Sequence, residues 1–295
     1  MHPHRRSFLQ SLPALALGAA LPAAPAQAAQ PAAGLPKGPS PMKLGLVTYN
    51  LAKDWDVPTI LRHCTAARFD GVELRTTHAH RVEVQLSAAE RAEVRRQFAG
   101  SAVQLYGLGS AFDYHTPDPA QLRRDIEATK AYLQLAHDVG ASGIKVRPND
   151  LPKEVPVEKT LEQIGRALGE LGATAAGLGQ QIRLEVHGRG TAQLPRIQRI
   201  LEVAGHPAVG ACWNSNQTDL DGDGFDANFD RVKTRIIEVH LRDLFLDEYP
   251  FRRLFQRLQE SGYTGFTLAE IPESPDPLRV MRYFRGLWLA YQGLL

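Results

Sequence analysis

Four short stretches in the second half of this chain end in side chains that can hold a metal ion. They are Arg183-Leu184-Glu185-Val186-His187, Ala211-Cys212-Trp213-Asn214-Ser215-Asn216, Glu238-Val239-His240-Leu241-Arg242 and Leu268-Ala269-Glu270-Ile271. Each reads as a short apolar strand with an oxygen or nitrogen donor at its C-terminal end. The donors Glu185, Asn214, His240 and Glu270 recur about every 25 to 30 residues, with helical sequence between them. A parallel barrel needs that arrangement to gather one metal site at its mouth. Chemistry of this kind favours an enzyme.

The elements that must position these donors can be read along the whole chain. Strand-like runs occur at Leu44–Tyr49, Gly71–Leu74, Gln104–Leu108, Gly143–Val146, Gln181–Val186, Val209–Trp213, Ile236–Leu241 and Phe266–Ile271. The segments between them have helical period and end signals. Ser87 to Glu90 is a capping box, Pro119 to Val139 runs into Gly140, and Pro250 to Ser261 stops at Gly262. Eight such units predict an α/β fold, a single-domain (β/α)8 barrel over residues 42–295. A doubly wound open sheet is the alternative, but no GxGxxG or GxxxxGK[ST] follows a strand, which weakens a nucleotide-binding reading.

The barrel places its chemistry at the C-terminal strand ends, where Asn50, Glu73, Lys145, Glu185, Asn214, His240 and Glu270 fall. Side chains two apart on a strand share a face. Glu73 therefore goes with Arg75, Lys145 with Arg147, Glu185 with His187, Asn214 with Asn216, and His240 with Arg242. The second of each pair lies above the first, nearer solvent. Glu238 faces inward below His240, where a carboxylate needs a partner. His78, His80 and His115 fall in loops at the rim.

With 295 residues, 43% hydrophobic and 22% charged, the composition is that of a globular protein. The start of the chain stands apart. Arg5-Arg6-Ser7-Phe8-Leu9 precedes an uncharged Ala/Leu/Gly/Pro run and Ala26-Gln27-Ala28, a small-x-small cleavage pattern. Residues 1–28 resemble a twin-arginine export signal, followed by a Pro/Ala/Gly linker at 29–41; the expected destination is the periplasm or another exported location. Removing residues 1–28 takes two arginines and no acids from 34 basic and 32 acidic residues, leaving 32 of each. That balance gives no electrostatic reason to expect nucleic acid or an anionic membrane as partner. Cys64 and Cys212 fall in different layers, which disfavours a disulfide.

The order Glu185, a polar residue after an apolar strand, then Val239-His240-Leu241-Arg242-Asp243 and Ala269-Glu270 is similar to the xylose-isomerase-like TIM barrels, the superfamily of sugar (phosphate) isomerases and epimerases. The resemblance covers about residues 43–290. It implies that Glu185, Asn214, His240 and Glu270 bind one divalent ion (Mn, Zn, Mg or Co) and that Glu185 and Glu270 also move protons. Asn214 departs from the pattern, because the family usually has aspartate there. An amide oxygen coordinates a hard cation but brings no charge, so such a site holds its metal more weakly and leaves it a stronger Lewis acid. His187 or Asn216 could complete the coordination instead.

A metal chelated by adjacent oxygens of a hydroxy-carbonyl sugar acidifies the proton between them by stabilising an enediolate. Glu185 and Glu270 could then take that proton and return it, giving isomerisation or epimerisation of a small carbohydrate. Lys145 and His187 could donate to the developing oxyanion, and Glu73, Asn216 and Arg242 are further candidates for substrate contact. A leaving group at the β carbon would make the same site a lyase or dehydratase acting on 3-keto-glycosides. A non-catalytic sugar-binding barrel is the rival from another class. An endonuclease is disfavoured by the few strand-end histidines and the balanced charge. Export favours an unphosphorylated substrate. Asp219-Leu220-Asp221-Gly222-Asp223-Gly224 with Asp230 has the spacing of a calcium loop, but Asp226 stands where such a loop has an apolar residue, so a turn with solvated acids is preferred.

Overall fold

The computed structural model describes residues 39–295. The proposed export signal, and the linker as far as residue 38, lie outside the described residues. Eight parallel strands close into a barrel in chain order: β1 Lys43–Val47, β2 Gly71–Arg75, β3 Gln104–Gly109, β4 Gly143–Val146, β5 Gln181–Glu185, β6 Val209–Trp213, β7 Ile236–Leu241 and β8 Phe266–Ala269. β1 completes the ring by pairing with β8, Leu44 opposite Thr267 and Leu46 opposite Ala269. Eight helices, α1 Val57–Ala67, α2 Ala88–Ala99, α3 Pro119–Val139, α4 Val157–Gly177, α5 Leu194–Ala204, α6 Phe225–Val232, α7 Phe251–Glu260 and α8 Pro277–Tyr291, follow the strands. The predicted fold is the observed one.

Local sequence explains the boundaries. The capping box is present, with Ser87 and Glu90 each accepting from the other's backbone N–H. Asp56 accepts from Thr59 N at 2.9 Å to start α1, and α3 ends on Gly140 at φ 84°, where a side chain would be strained. Outward strand residues such as Val72, Leu74, Leu184 and Val239 are fully buried against the helices and supply most of the apolar core. Cys64 on α1 and Cys212 on β6 are buried, free and in different layers. Among the described residues no helix is long and apolar enough to cross a membrane.

The barrel interior changes character along its axis. Val47, Tyr106, Phe266 and Leu268 form a separate apolar cluster. Charged side chains share the interior with this cluster: Arg183 and Glu238 are fully buried and 3.7 Å apart. A register shift between Val72 and Glu73 skips Tyr106, so that Glu73 pairs with Gly107. The Tyr106 ring lies under the Arg183 guanidinium at 3.8 Å, and its hydroxyl donates to Ile237 O at 2.8 Å. A Cβ on Gly107 would stand 2.3 Å from Arg183 Nη1, and one on Gly109 2.5 Å from Glu73 Oε1. Two missing side chains on β3 thus make room for one buried cation and one buried carboxylate.

Candidate active site

The cavity at the C-terminal end of the barrel has a volume of about 450 Å³. Seven of the expected site residues bear on it: Lys145, Glu185, His187, Asn214, Asn216, Arg242 and Glu270 all line its wall. They arrive by the alternation of the strands, which carries Glu185 and Glu270 inward and lifts His187 and Arg242 one level toward solvent. Asn216 is fixed by donating from Nδ2 to Val186 O, which ties the loop after β6 to that after β5. Ser215, at φ 49°, turns the chain between the two asparagines and donates to His240 O at 2.8 Å.

His240 is buried beside the cavity-lining Glu185 and Glu270 and is 1% exposed. Its Nδ1 lies 3.7 Å from Glu185 Oε1 and 3.8 Å from Glu270 Oε2, and one ligand atom from each of the three residues falls within 4.8 Å of the others. Ligands bonded to one ion at about 2.0–2.2 Å stand roughly 3–4 Å apart, so this spacing suits a shared divalent metal. Both ring nitrogens of His240 are buried without a hydrogen-bond partner, as expected of a donor awaiting a ligand. Glu185 Oε2 accepts from Lys145 Nζ at 2.7 Å, leaving Oε1 toward the histidine.

A second triad, Cys212, Glu238 and His240, shares the histidine but is wholly buried. Glu238 there already faces the Arg183 guanidinium, which would repel an ion, so the cavity-facing set is the better metal holder.

The electrostatics of the glutamates differ. Burial would raise the Glu185 carboxyl, but Lys145 and then His240 overcome it and hold the group well below the usual carboxylate range. Burial raises Glu270, with His240 opposing and Glu185 reinforcing. Burial also raises Glu238, to about 7, and Glu73 adds to the shift while Arg183 opposes it. Burial lowers His187, whose Nδ1 has no hydrogen-bond partner.

Glu73 needs correction as a substrate contact. It has no exposed surface and lies under the site, 3.7 Å from His240 Nε2, because Gly109 leaves a space that draws it inward. With Glu238, whose Oε2 is 3.8 Å from the same nitrogen, it is placed to orient the imidazole so that Nδ1 faces the cavity. The rim histidines are elsewhere: His80 is buried between Arg75 O and Val82 N, His78 contacts Thr48 at 3.1 Å, and His115 pairs with Asp113 at 3.0 Å. Apart from Asp221, the acids of the calcium-like loop are engaged by the protein itself. Asp223 pairs with Arg231, Asp226 with Arg253 and Asp230 with Arg257, while buried Asp219 accepts from Tyr249 OH at 2.6 Å.

Arg183 escaped the sequence reading, although it shares a strand face with Glu185 two residues on and supplies the partner that Glu238 required. Arg75, Arg147, Tyr49 and Asp243 also line the cavity.

An expected consequence concerns Asn214. Asn214→Asp adds a third negative charge to the cavity wall, so apo-protein titrated with Mn²⁺ should bind it more tightly. Unchanged affinity would put Asn214 outside the coordination sphere and turn attention to His187 and Asn216.

The family model described as xylose isomerase-like TIM barrel matches residues 61–286. Among solved structures, the chain is similar to 3-keto-D-glucoside 4-epimerase, YcjR, from E. coli, with 17% identity over 84% of this chain and 99% of that one and a TM-score of 0.70. It is similar to D-psicose 3-epimerase solved in the presence of D-fructose, with 15% identity over 85% and 100% of the two chains and a TM-score of 0.72. The IOLI protein with a bound zinc atom aligns at 16% identity over 85% and 98%, with a TM-score of 0.71. No curated protein sequence matches.

Proposed function

Since the chain belongs to the xylose isomerase-like TIM barrel family, we propose that it is a divalent-metal-dependent isomerase or epimerase acting on a sugar or keto-sugar through an enediolate. The observation that carries this reading is the convergence of Glu185, His240 and Glu270 on one point in a polar cavity. The solved neighbours include two sugar epimerases and a protein with bound zinc, which supports the same direction.

Glu185, His240 and Glu270 would hold the ion, with Asn214 beside them. The ion, when bound, polarises the carbonyl and hydroxyl oxygens of the substrate and so acidifies the carbon-bound proton between them. One of Glu185 and Glu270 accepts that proton; for epimerisation the other delivers a proton to the opposite face of the same carbon, and for isomerisation a proton is delivered to the neighbouring carbon. Lys145, hydrogen-bonded to Glu185, and His187 on the wall are placed to donate to the oxygen on which charge develops.

Elimination is the second reading, favoured by His187, whose side chain lines the cavity wall and can assist a departing hydroxyl or glycosidic oxygen. The twin-arginine-like start carries the accompanying proposal that the enzyme works outside the cytoplasm.

NMR of the metal-loaded protein in D₂O with a panel of sugars and 3-keto-sugars tests the reading. Deuterium should enter at one carbon of a turned-over substrate, and chelation of the metal should abolish the exchange. A new double bond would select the lyase. A sugar that binds with no exchange and no product, at full metal occupancy, would defeat both readings.

A further inference from the structure

Three arginines line the cavity, Arg75, Arg147 and Arg242, and none forms an ion pair with a carboxylate among the described residues. Of the three acids on the cavity wall, Glu185 is taken by Lys145, Glu185 and Glu270 both face His240, and Asp243 forms no ion pair with any of the arginines. Each arginine stands two residues beyond an inward-facing strand position, at Glu73, Lys145 and His240, and therefore one level nearer solvent than the metal-holding residues.

Their head groups are anchored on the backbone. Arg147 Nη2 donates to Ala111 O at 3.1 Å, Arg242 Nε donates to Ser215 O at 3.0 Å, and Arg75 Nη1 donates to Thr76 O at 3.4 Å. What remains is unsatisfied: Arg147 Nε and Arg242 Nη2 are buried with no hydrogen-bond partner. A buried guanidinium N–H without an acceptor is costly, as at Arg147 and Arg242, and these two cations with Arg75 around one cavity repel one another. A neutral sugar offers hydroxyl oxygens but no compensating charge.

We propose, resting on the sugar-converting reading above, that the substrate is an acidic sugar, whose carboxylate or phosphate oxygens are received by Arg75, Arg147 and Arg242 above the reacting carbons. The anion lies toward solvent and the hydroxy-carbonyl unit toward His240. Guanidinium forks suit either anion, since both present paired oxygens to parallel N–H donors. A carboxylate agrees with the expectation that export favours an unphosphorylated substrate, and a phosphate departs from it.

Calorimetry on the metal-loaded protein with D-glucose, D-glucuronate and D-glucose 6-phosphate as probes tests the inference. At least one anionic probe should bind tenfold or more tightly than glucose, with the preference shrinking as ionic strength rises. Which anion is preferred separates carboxylate from phosphate. Arg147→Gln should weaken the preferred anion roughly 10–100-fold while glucose affinity is held, Arg242→Gln should weaken the anion by more than it weakens glucose, and Arg147→Lys should fall between wild type and Arg147→Gln. Equal affinity for all three probes in the wild type would overturn the inference, as would variants that bind the anion unchanged. The two proposals fail separately. Proton exchange on neutral keto-sugars with no anion preference removes the acidic substrate and keeps the isomerase. Tight anion binding with no exchange on any sugar does the reverse.

Discussion

Replacing Glu270 by glutamine is expected to leave the protein folded and to lower solvent exchange at the substrate carbon by roughly 10²–10⁴-fold, the range seen when a positioned acid or base is lost. Glu270 is a mild site for such a change. Its side chain is 21% exposed and its closest charged contact is His240 Nδ1, at 3.8 Å. The glutamine amide keeps an oxygen donor toward the metal position but cannot accept the proton at neutral pH. Metal content, measured on the purified variant, should therefore fall far less than turnover does. Exchange at the wild-type rate would show that Glu270 takes no part in proton transfer. Loss of metal together with loss of exchange would assign it to coordination alone.

The second large effect is on stability. Arg183→Met should destabilise the fold by about 3–5 kcal/mol, since it leaves the Glu238 carboxyl buried without its cation. The guanidinium also donates to Ser142 Oγ at 2.7 Å and covers the Tyr106 ring, so the loss is not confined to one pair. Combining Arg183→Met with Glu238→Leu removes both polar groups, and most of the stability should return because no unpartnered buried carboxyl remains. Urea unfolding of the single and double variants at one pH measures the difference. A double variant no more stable than Arg183→Met would mean that the pair is not coupled and that the damage comes from packing.

How far these features are legible in the sequence follows from the period of each element. The eight strands are apolar runs bounded by glycine or turn residues, and the ranges Gly143–Val146, Val209–Trp213 and Ile236–Leu241 coincide with β4, β6 and β7. Strict alternation carried Glu185 and Glu270 inward and placed Lys145, Asn214 and His240 beside them. It fails where the period breaks. The shift beside Tyr106 inserts a residue on β3, and no alternation rule shows that Gly107 and Gly109 face inward. Alternation puts Glu73 at a strand end as a candidate for substrate contact, but not at the depth to which the space beside Gly109 takes it. Arg183 was legible in principle, two residues before Glu185, but an arginine in an apolar strand reads more easily as one facing solvent. Depth along the barrel axis is the quantity that a one-dimensional pattern lacks, and it separates a residue that meets substrate from one that orients a ligand.

The seam between β1 and β8 imposes an order in time on the making of this protein. As the chain leaves the ribosome, Lys43–Val47 can pair with β2 on one side, but the groups that will meet Phe266–Ala269 have no partner until β8 has been synthesised. During that interval the nascent sheet is an open ribbon with an apolar edge, the state in which strands from two molecules pair by mistake. Even after closure, the latch between Ser40 and Gln292, joined at 2.6 Å, waits for the end of α8. Truncation within the final helix should therefore be felt at the first strand, as a ring that closes slowly or closes on a neighbour.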